Sequence, residues 1–176
     1  MTNIGIVSLG CPKNRVDTEN MLGILGNEGF GIVANPEEAD IIIVNTCGFI
    51  DAAKEESIAT VLEMAEFKKK KCKLLIMAGC LAERYSGDIL AELPEVDAVV
   101  GTGDYHKIAE VIKKAQSGEK PVLTGHIDDE IPEGLPRILS TGSASAYLKI
   151  ADGCDNKCTY CVIPKLRGKY RSRPME

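Results

Sequence analysis

The chain has 176 residues, with 21 Lys plus Arg against 26 Asp plus Glu and a net charge of -5. That length holds one full domain, or one domain and part of another, and a hydrophobic content of 44% excludes a disordered chain. No apolar run approaches the roughly 20 residues needed to cross a bilayer, and the start MTNIGIVSLG has no basic region ahead of its apolar stretch. Neither a membrane span nor a secretory signal is expected, and the chain reads as cytoplasmic.

Apolar runs at 3–9, 40–46, 73–78 and 98–100, with a weaker one at 30–34, are nearly continuous in Ile, Val and Leu. That pattern predicts strands buried on both faces, as in a parallel sheet. Between them the spacing predicts helices over 14–27, 51–70, 82–93 and 104–116. Asp51 and Asp104 are the expected N-caps, and Lys68 to Lys71 suit a helix C-terminus as a solvated face. Strand and helix in alternation predict an α/β fold with a doubly wound parallel sheet of about five strands, over residues 1–117. Gly118, Pro121, Gly125, Pro132, Gly134, Pro136 and Gly142 punctuate 118–143, which reads as a linker. A further strand is expected at 146–151, opening an incomplete second unit over 144–176. Charge changes at the same place. Residues 1–146 hold 14 basic and 23 acidic side chains, whereas 147–176 hold 7 and 3. Arg167, Lys169, Tyr170, Arg171 and Arg173 make a basic tail, suited to a nucleic acid, to an acidic protein surface or to solvent.

Seven cysteines is an odd number, so full disulfide pairing is impossible, and in a reducing compartment cysteines more often ligate metals or do chemistry. Cys154, Cys158 and Cys161 form C-x3-C-x2-C directly after the expected strand. Three thiolates from one loop suit a four-iron cluster with one iron left open to a substrate or cofactor. A zinc site and a thioredoxin-like Cys158–Cys161 pair are the alternatives. Zinc usually takes four ligands, and the chain's two histidines, His106 and His126, are distant in sequence. Cys11, Cys47 and Cys80 each follow an apolar strand, 36 and 33 residues apart. In an open parallel sheet these positions share the ligand-binding edge, and Gly10, Gly48 and Gly79 permit close backbone approach. The alternative is that each is a small buried hydrophobe. Cys72 precedes a strand and is expected to face away from this edge.

Cys154-x3-Cys158-x2-Cys161, with Tyr160 before the last cysteine, resembles the radical S-adenosylmethionine (SAM) motif. Val162-Ile163-Pro164-Lys165-Leu166-Arg167-Gly168, then Ser172-Arg173-Pro174, resembles the stretch after that motif in the methylthiotransferase family. The first unit resembles that family's N-terminal domain, and Cys11, Cys47 and Cys80 match its three cluster ligands. The resemblance implies two 4Fe-4S clusters, one on each triplet, with SAM on the second beside Tyr160. Ser8 to Glu19, including Cys11-Pro12-Lys13-Asn14, resembles the branch that methylthiolates the β-carbon of an aspartate in the twelfth small-subunit ribosomal protein. The alternatives are the branch that modifies an adenosine of transfer RNA, and a non-catalytic iron–sulfur electron carrier. The implied partners are that ribosomal protein and an electron donor, with no membrane and no direct nucleic-acid contact. The resemblance further implies that 144–176 begins a radical SAM (β/α) barrel, and that a chain ending at Glu176 lacks most SAM contacts and is inactive alone.

Overall fold

The computed structural model describes residues 1–130, 133–142 and 144–174. Its spine is strand β3 (Ile41–Thr46), buried at all six positions. A strand buried on both faces needs a layer on each side, and a parallel sheet supplies that. β1 (Asn3–Ser8) flanks β3 on one side and β4 (Leu74–Gly79) on the other, with Ile4 and Leu74 both opposite Ile41. β2 (Gly31–Ile32) lies outside β1; β5 (Ala98–Val100) and then β6 (Val122–Leu123) lie outside β4. Every pairing in this sheet is parallel. The expected doubly wound sheet is present, with six strands in place of about five.

Side-chain alternation along β3 divides the core in two. Ile41 and Ile43 join Met21 and Leu25 of α1 (Pro12–Asn27) and Ile108 and Ile112 of α5 (Ile108–Gln116). Ile42 and Val44 join Val61 and Met64 of α2 (Asp51–Ala65), Leu81 of α3 (Cys80–Arg84) and Ile89 of α4 (Ile89–Glu92). Each large aliphatic side chain so buried contributes about 1.5–3 kcal/mol. The strand order β2-β1-β3-β4-β5-β6 reverses direction between β1 and β3, and that switch point is where such sheets open a crevice for ligands.

Helix ends depart from expectation for local reasons. α1 begins at Pro12, whose fixed φ suits a first turn. The helix expected over 82–93 is two short ones, and the first starts at Cys80 because Gly79 (φ 90°) turns the chain straight out of β4. Asp51 caps nothing: Ile50 holds the N-cap position, and Asp51 pairs with Lys54 at 2.5 Å. Asp104 also makes no cap bond; it accepts from Lys107 (2.9 Å) and lies 2.8 Å from Nδ1 of His126. Lys68, Lys69, Lys70 and Lys71 each face a carboxylate, those of Asp97, Glu66, Glu37 and Asp40.

The segment expected as a linker does two structural jobs. It supplies β6, and it then crosses α1, where the Ile138 amide donates to the Glu19 carbonyl (3.0 Å). The Glu19 side chain is fully buried there and accepts two bonds from Arg137 (2.9 and 2.6 Å) and two from Ser140 (both 2.8 Å). Gly23 of α1 makes room, since a Cβ there would collide with the Pro136 carbonyl. Pro132 and the last two residues of 144–176 lie outside the described residues.

The expected strand at 146–151 and the start of a (β/α) barrel are not visible. Among the described residues of 144–176, the strands are β7 (Ala151–Asp152) and β8 (Arg171–Ser172), paired antiparallel. Tyr147, Leu148 and Ile150 are exposed. Among the described residues no parallel strand or helix covers them, so the pairing and packing that hold a barrel strand are not made. No helix among the described residues is long and apolar enough to cross a membrane.

Glu19 gives the fold a testable acid sensitivity. Burial pushes its pKa up, but the Ser140 and Arg137 bonds outweigh this and hold it below the usual carboxylate value. Its contribution is therefore present above the unfolded value of about 4.3 and is lost as pH falls through the depressed folded value. Glu19→Gln should lower unfolding free energy in urea by about 1.5–3 kcal/mol at pH 7, with the gap to the parent closing in acid. Equal stability at pH 7 would contradict the assignment.

Candidate metal centre

Parallel strands deliver their C-termini to one edge, and three cysteines lie there. Cys11 follows β1 and stands at the N-cap of α1, exposed. Cys47 follows β3 and is buried; its amide donates to Ser57 Oγ (3.0 Å), whose hydroxyl donates back to the Cys47 carbonyl (3.1 Å). Cys80 opens α3 and is buried. The three loops touch. A Cβ on Gly10 would sit 2.8 Å from Cys47 Cβ and 3.1 Å from its Sγ, and one on Gly48 would sit 3.1 Å from the Cys80 carbonyl. Gly10 also has φ 85°, a backbone conformation that side chains avoid.

Asn14 ties the edge together. Its Nδ2 donates to the carbonyls of Leu9 (3.1 Å) and Thr46 (2.8 Å), after β1 and at the end of β3. Its Oδ1 accepts from Arg167 Nη2 (2.5 Å) and from the Cys80 thiol (3.6 Å). Asn45 Nδ2 donates to the Asn14 carbonyl (2.9 Å) and to Thr18 Oγ1 (2.9 Å). One turn along α1, Asp17 accepts from Lys149 Nζ (2.5 Å) and Arg167 Nη1 (2.6 Å). Asp152 accepts from the same two cations, each at 3.1 Å, and from Lys13 (3.1 Å). Burial opposes charge on Asp152, but Arg167, Lys149 and Lys13 outweigh it and hold its pKa far below the carboxylate range. Burial pushes the Cys80 thiol up, with Arg167 pulling the other way.

All seven cysteines are free thiols. Among the described residues no three His, Cys, Asp or Glu side chains converge closely enough to hold a metal ion. The first triplet nonetheless suits a sulfur-ligated group. Its donors are all thiols, two are already buried, and the glycines beside them leave space that a Cβ would fill.

Residues 3–101, which carry β1 to β5 and this triplet, match Uncharacterized protein family UPF0004. The chain belongs to this family. It is 56% identical over 176 residues to "Ribosomal protein uS12 methylthiotransferase RimO" of Thermoanaerobacter sp. (strain X514), covering 100% of this chain and 40% of the relative. Proteins of the same name from Acetivibrio thermocellus and Clostridioides difficile are 57% and 54% identical, covering 98% and 100% of this chain and 40% of each relative. The chain thus spans about two fifths of the length of these curated relatives.

The second triplet lies beyond the stretch matched to UPF0004. Cys154 and Cys161 are half-buried and Cys158 is exposed. The Cys154 amide donates to the Gly168 carbonyl (3.0 Å) and the Cys161 amide to the Cys158 carbonyl (3.1 Å), so the loop is hydrogen-bonded at both ends. Tyr160 is 88% exposed. Cys72 stands before β4, at the opposite end from Cys80, where its thiol donates to the Leu74 carbonyl (3.2 Å) within the core.

Sequence reasoning missed Asn14, Asp17, Lys149 and Asp152, and it placed Arg167 in an open basic tail, whereas the side chain is 3% exposed. A signal existed. Asn14, Asp17 and Asn20 recur every third residue and form one polar stripe on a helix that must face the sheet. Lys149 gave no such signal: alternation would turn Leu148 and Ile150 inward, whereas both are exposed and Lys149 is buried.

Exposure predicts an alkylation order in the metal-free, reduced chain. Cys11 and Cys158 should react with iodoacetamide first and Cys47, Cys72 and Cys80 last, read by peptide mass mapping. Early labelling of Cys80 would contradict the closed edge. Cys72→Ala should leave bound iron unchanged after anaerobic reconstitution; an altered iron content would show that Cys72 belongs to the site.

Proposed function

We propose that the chain is the cluster-bearing portion of a cytoplasmic radical SAM methylthiotransferase, the kind that adds a methylthio group to the β-carbon of an aspartate in ribosomal protein uS12. What supports this reading is that Cys11, Cys47 and Cys80 each follow a strand at the C-terminal edge of the sheet, on loops that touch, in a chain more than half identical to relatives of that name. In this reading residues 1–117 form the domain of the first triplet, 118–143 a connecting segment and 144–176 the start of the SAM-binding unit. Cys11, Cys47 and Cys80 hold one 4Fe-4S cluster; Cys154, Cys158 and Cys161 hold the other, where SAM binds beside Tyr160. With an external electron donor, the bound clusters and SAM would supply radical and sulfur chemistry at a C–H bond that no side-chain base removes near neutral pH.

The chain's own residues fix the ligands. Thiolates hold iron and leave its potential open to tuning by hydrogen bonds and burial. Ser57 anchors the Cys47 backbone, Asn14 fastens the loops after β1 and β3, and Gly10 and Gly48 allow those loops to approach. The acidic balance of residues 1–146 suits a basic protein substrate better than an RNA one.

Anaerobic reconstitution should give about eight irons per chain, four at each triplet. The Cys11→Ala, Cys47→Ala, Cys80→Ala triple variant should keep about half; full iron in that variant would remove the first site. The function itself is read by deleting the gene from its native organism and weighing uS12. The methylthio mass on its aspartate should disappear. Unchanged uS12, or loss of a methylthio group from transfer RNA instead, would overturn the assignment.

A further inference from the structure

Arg167 follows Cys161 by six positions and ends α6 (Ile163–Arg167), yet its guanidinium lies at the first triplet. It is 3% exposed. Nη1 donates to Asp17 Oδ2 (2.6 Å) and Asp152 Oδ2 (3.1 Å), and Nη2 to Asn14 Oδ1 (2.5 Å) and Cys80 Sγ (3.8 Å). The surrounding charges do not balance. Among the described residues, Arg167, Lys149 and, from the solvent side, Lys13 pair only with the two carboxylates of Asp17 and Asp152. The fixed guanidinium therefore directs surplus positive charge at the Cys80 sulfur. An uncharged thiol leaves that surplus unmatched, whereas a thiolate carrying iron matches it.

We propose that Arg167 is a positioning residue for the first triplet: anchored by Asp17 and Asp152, it donates to the Cys80 sulfur and offsets the negative charge of the group held there. The proposal rests on the cluster reading above. Its consequence is that the segment carrying the second triplet tunes the first. Positive charge beside a cluster favours the reduced, more negative state, so Arg167 raises the reduction potential.

The test uses the chain with Cys154, Cys158 and Cys161 replaced by Ala, so that one cluster is read. After anaerobic reconstitution, its one-electron midpoint potential is followed by electron paramagnetic resonance during a dye-mediated titration. At fixed solution potential, Arg167→Gln should lower the reduced-to-oxidised ratio about tenfold, which is about 59 mV for one electron. Circular dichroism checks the fold. Arg167→Lys is the second variant and decides the matter should the Gln variant fail to fold or to load. It keeps the charge, but a single ammonium cannot serve Asp17 and Cys80 together, so a roughly threefold fall is expected. An unchanged potential in either folded, iron-loaded variant would overturn the proposal while leaving the cluster reading intact. Failure of the parent to take up iron would overturn both.

Discussion

The buried ion group around Asp17 is the constraint on which the arrangement of this chain depends. Asp17 sits in the middle of α1, and its two cationic partners, Lys149 and Arg167, are 132 and 150 residues away in sequence. All three are under 9% exposed at the side chain. A carboxylate that deep carries a desolvation penalty that only close, well-directed cations offset. Such a group adds little net stability compared with apolar packing, but losing one partner typically costs about 3–5 kcal/mol. Its effect is positional: Lys149 and Arg167 reach Asp17, and Lys13 reaches Asp152, with the segment after the linker docked on α1. Because the Asp152 pKa is depressed, that carboxylate keeps its charge below pH 4, and the lock opens only in stronger acid.

The same group explains why the two cysteine triplets are structurally linked. α1 begins one residue after Cys11, and α6 begins two residues after Cys161. Joining α1 to Arg167 joins the elements that carry both triplets. Asn14 extends the join into the sheet through the carbonyls that end β1 and β3. The strap over Glu19 provides a second, independent attachment of the linker to α1. The parallel sheet itself supplies the rest, since its switch point puts Cys11 and Cys47 on adjacent strands and Cys80 one strand further on.

Much of this is legible in the sequence. Continuous Ile and Val runs can only be buried strands, which is why β1, β3, β4 and β5 are found where the pattern puts them. Cysteines directly after three of those strands point to the edge without any further information. β6 is hidden because two residues, Val122 and Leu123, between Pro121 and Gly125 carry no period. The strand expected at 146–151 is misread for a different reason. Ala146 to Ala151 has strand composition, but strand formation depends on a neighbour, and among the described residues only β8 supplies one. The ion group is the least legible feature, because a charge pattern shows which residues are polar and not which distant residue each will meet. Arg167 reads as one of several basic residues near Glu176, and only tertiary contact separates it from Lys169 and Arg173.

A double-mutant cycle between Asp17 and Arg167 tests the central claim most directly. Unfolding free energies in urea are measured for the parent, Asp17→Asn, Arg167→Gln and the double variant, all metal-free at pH 7. A buried pair that sets the placement of the second unit predicts that the two losses are strongly non-additive, with a coupling energy of about 2–3 kcal/mol. Losses that add to within about 0.5 kcal/mol would mean that Asp17 and Arg167 do not meet, and the link between the two triplets would fall with them.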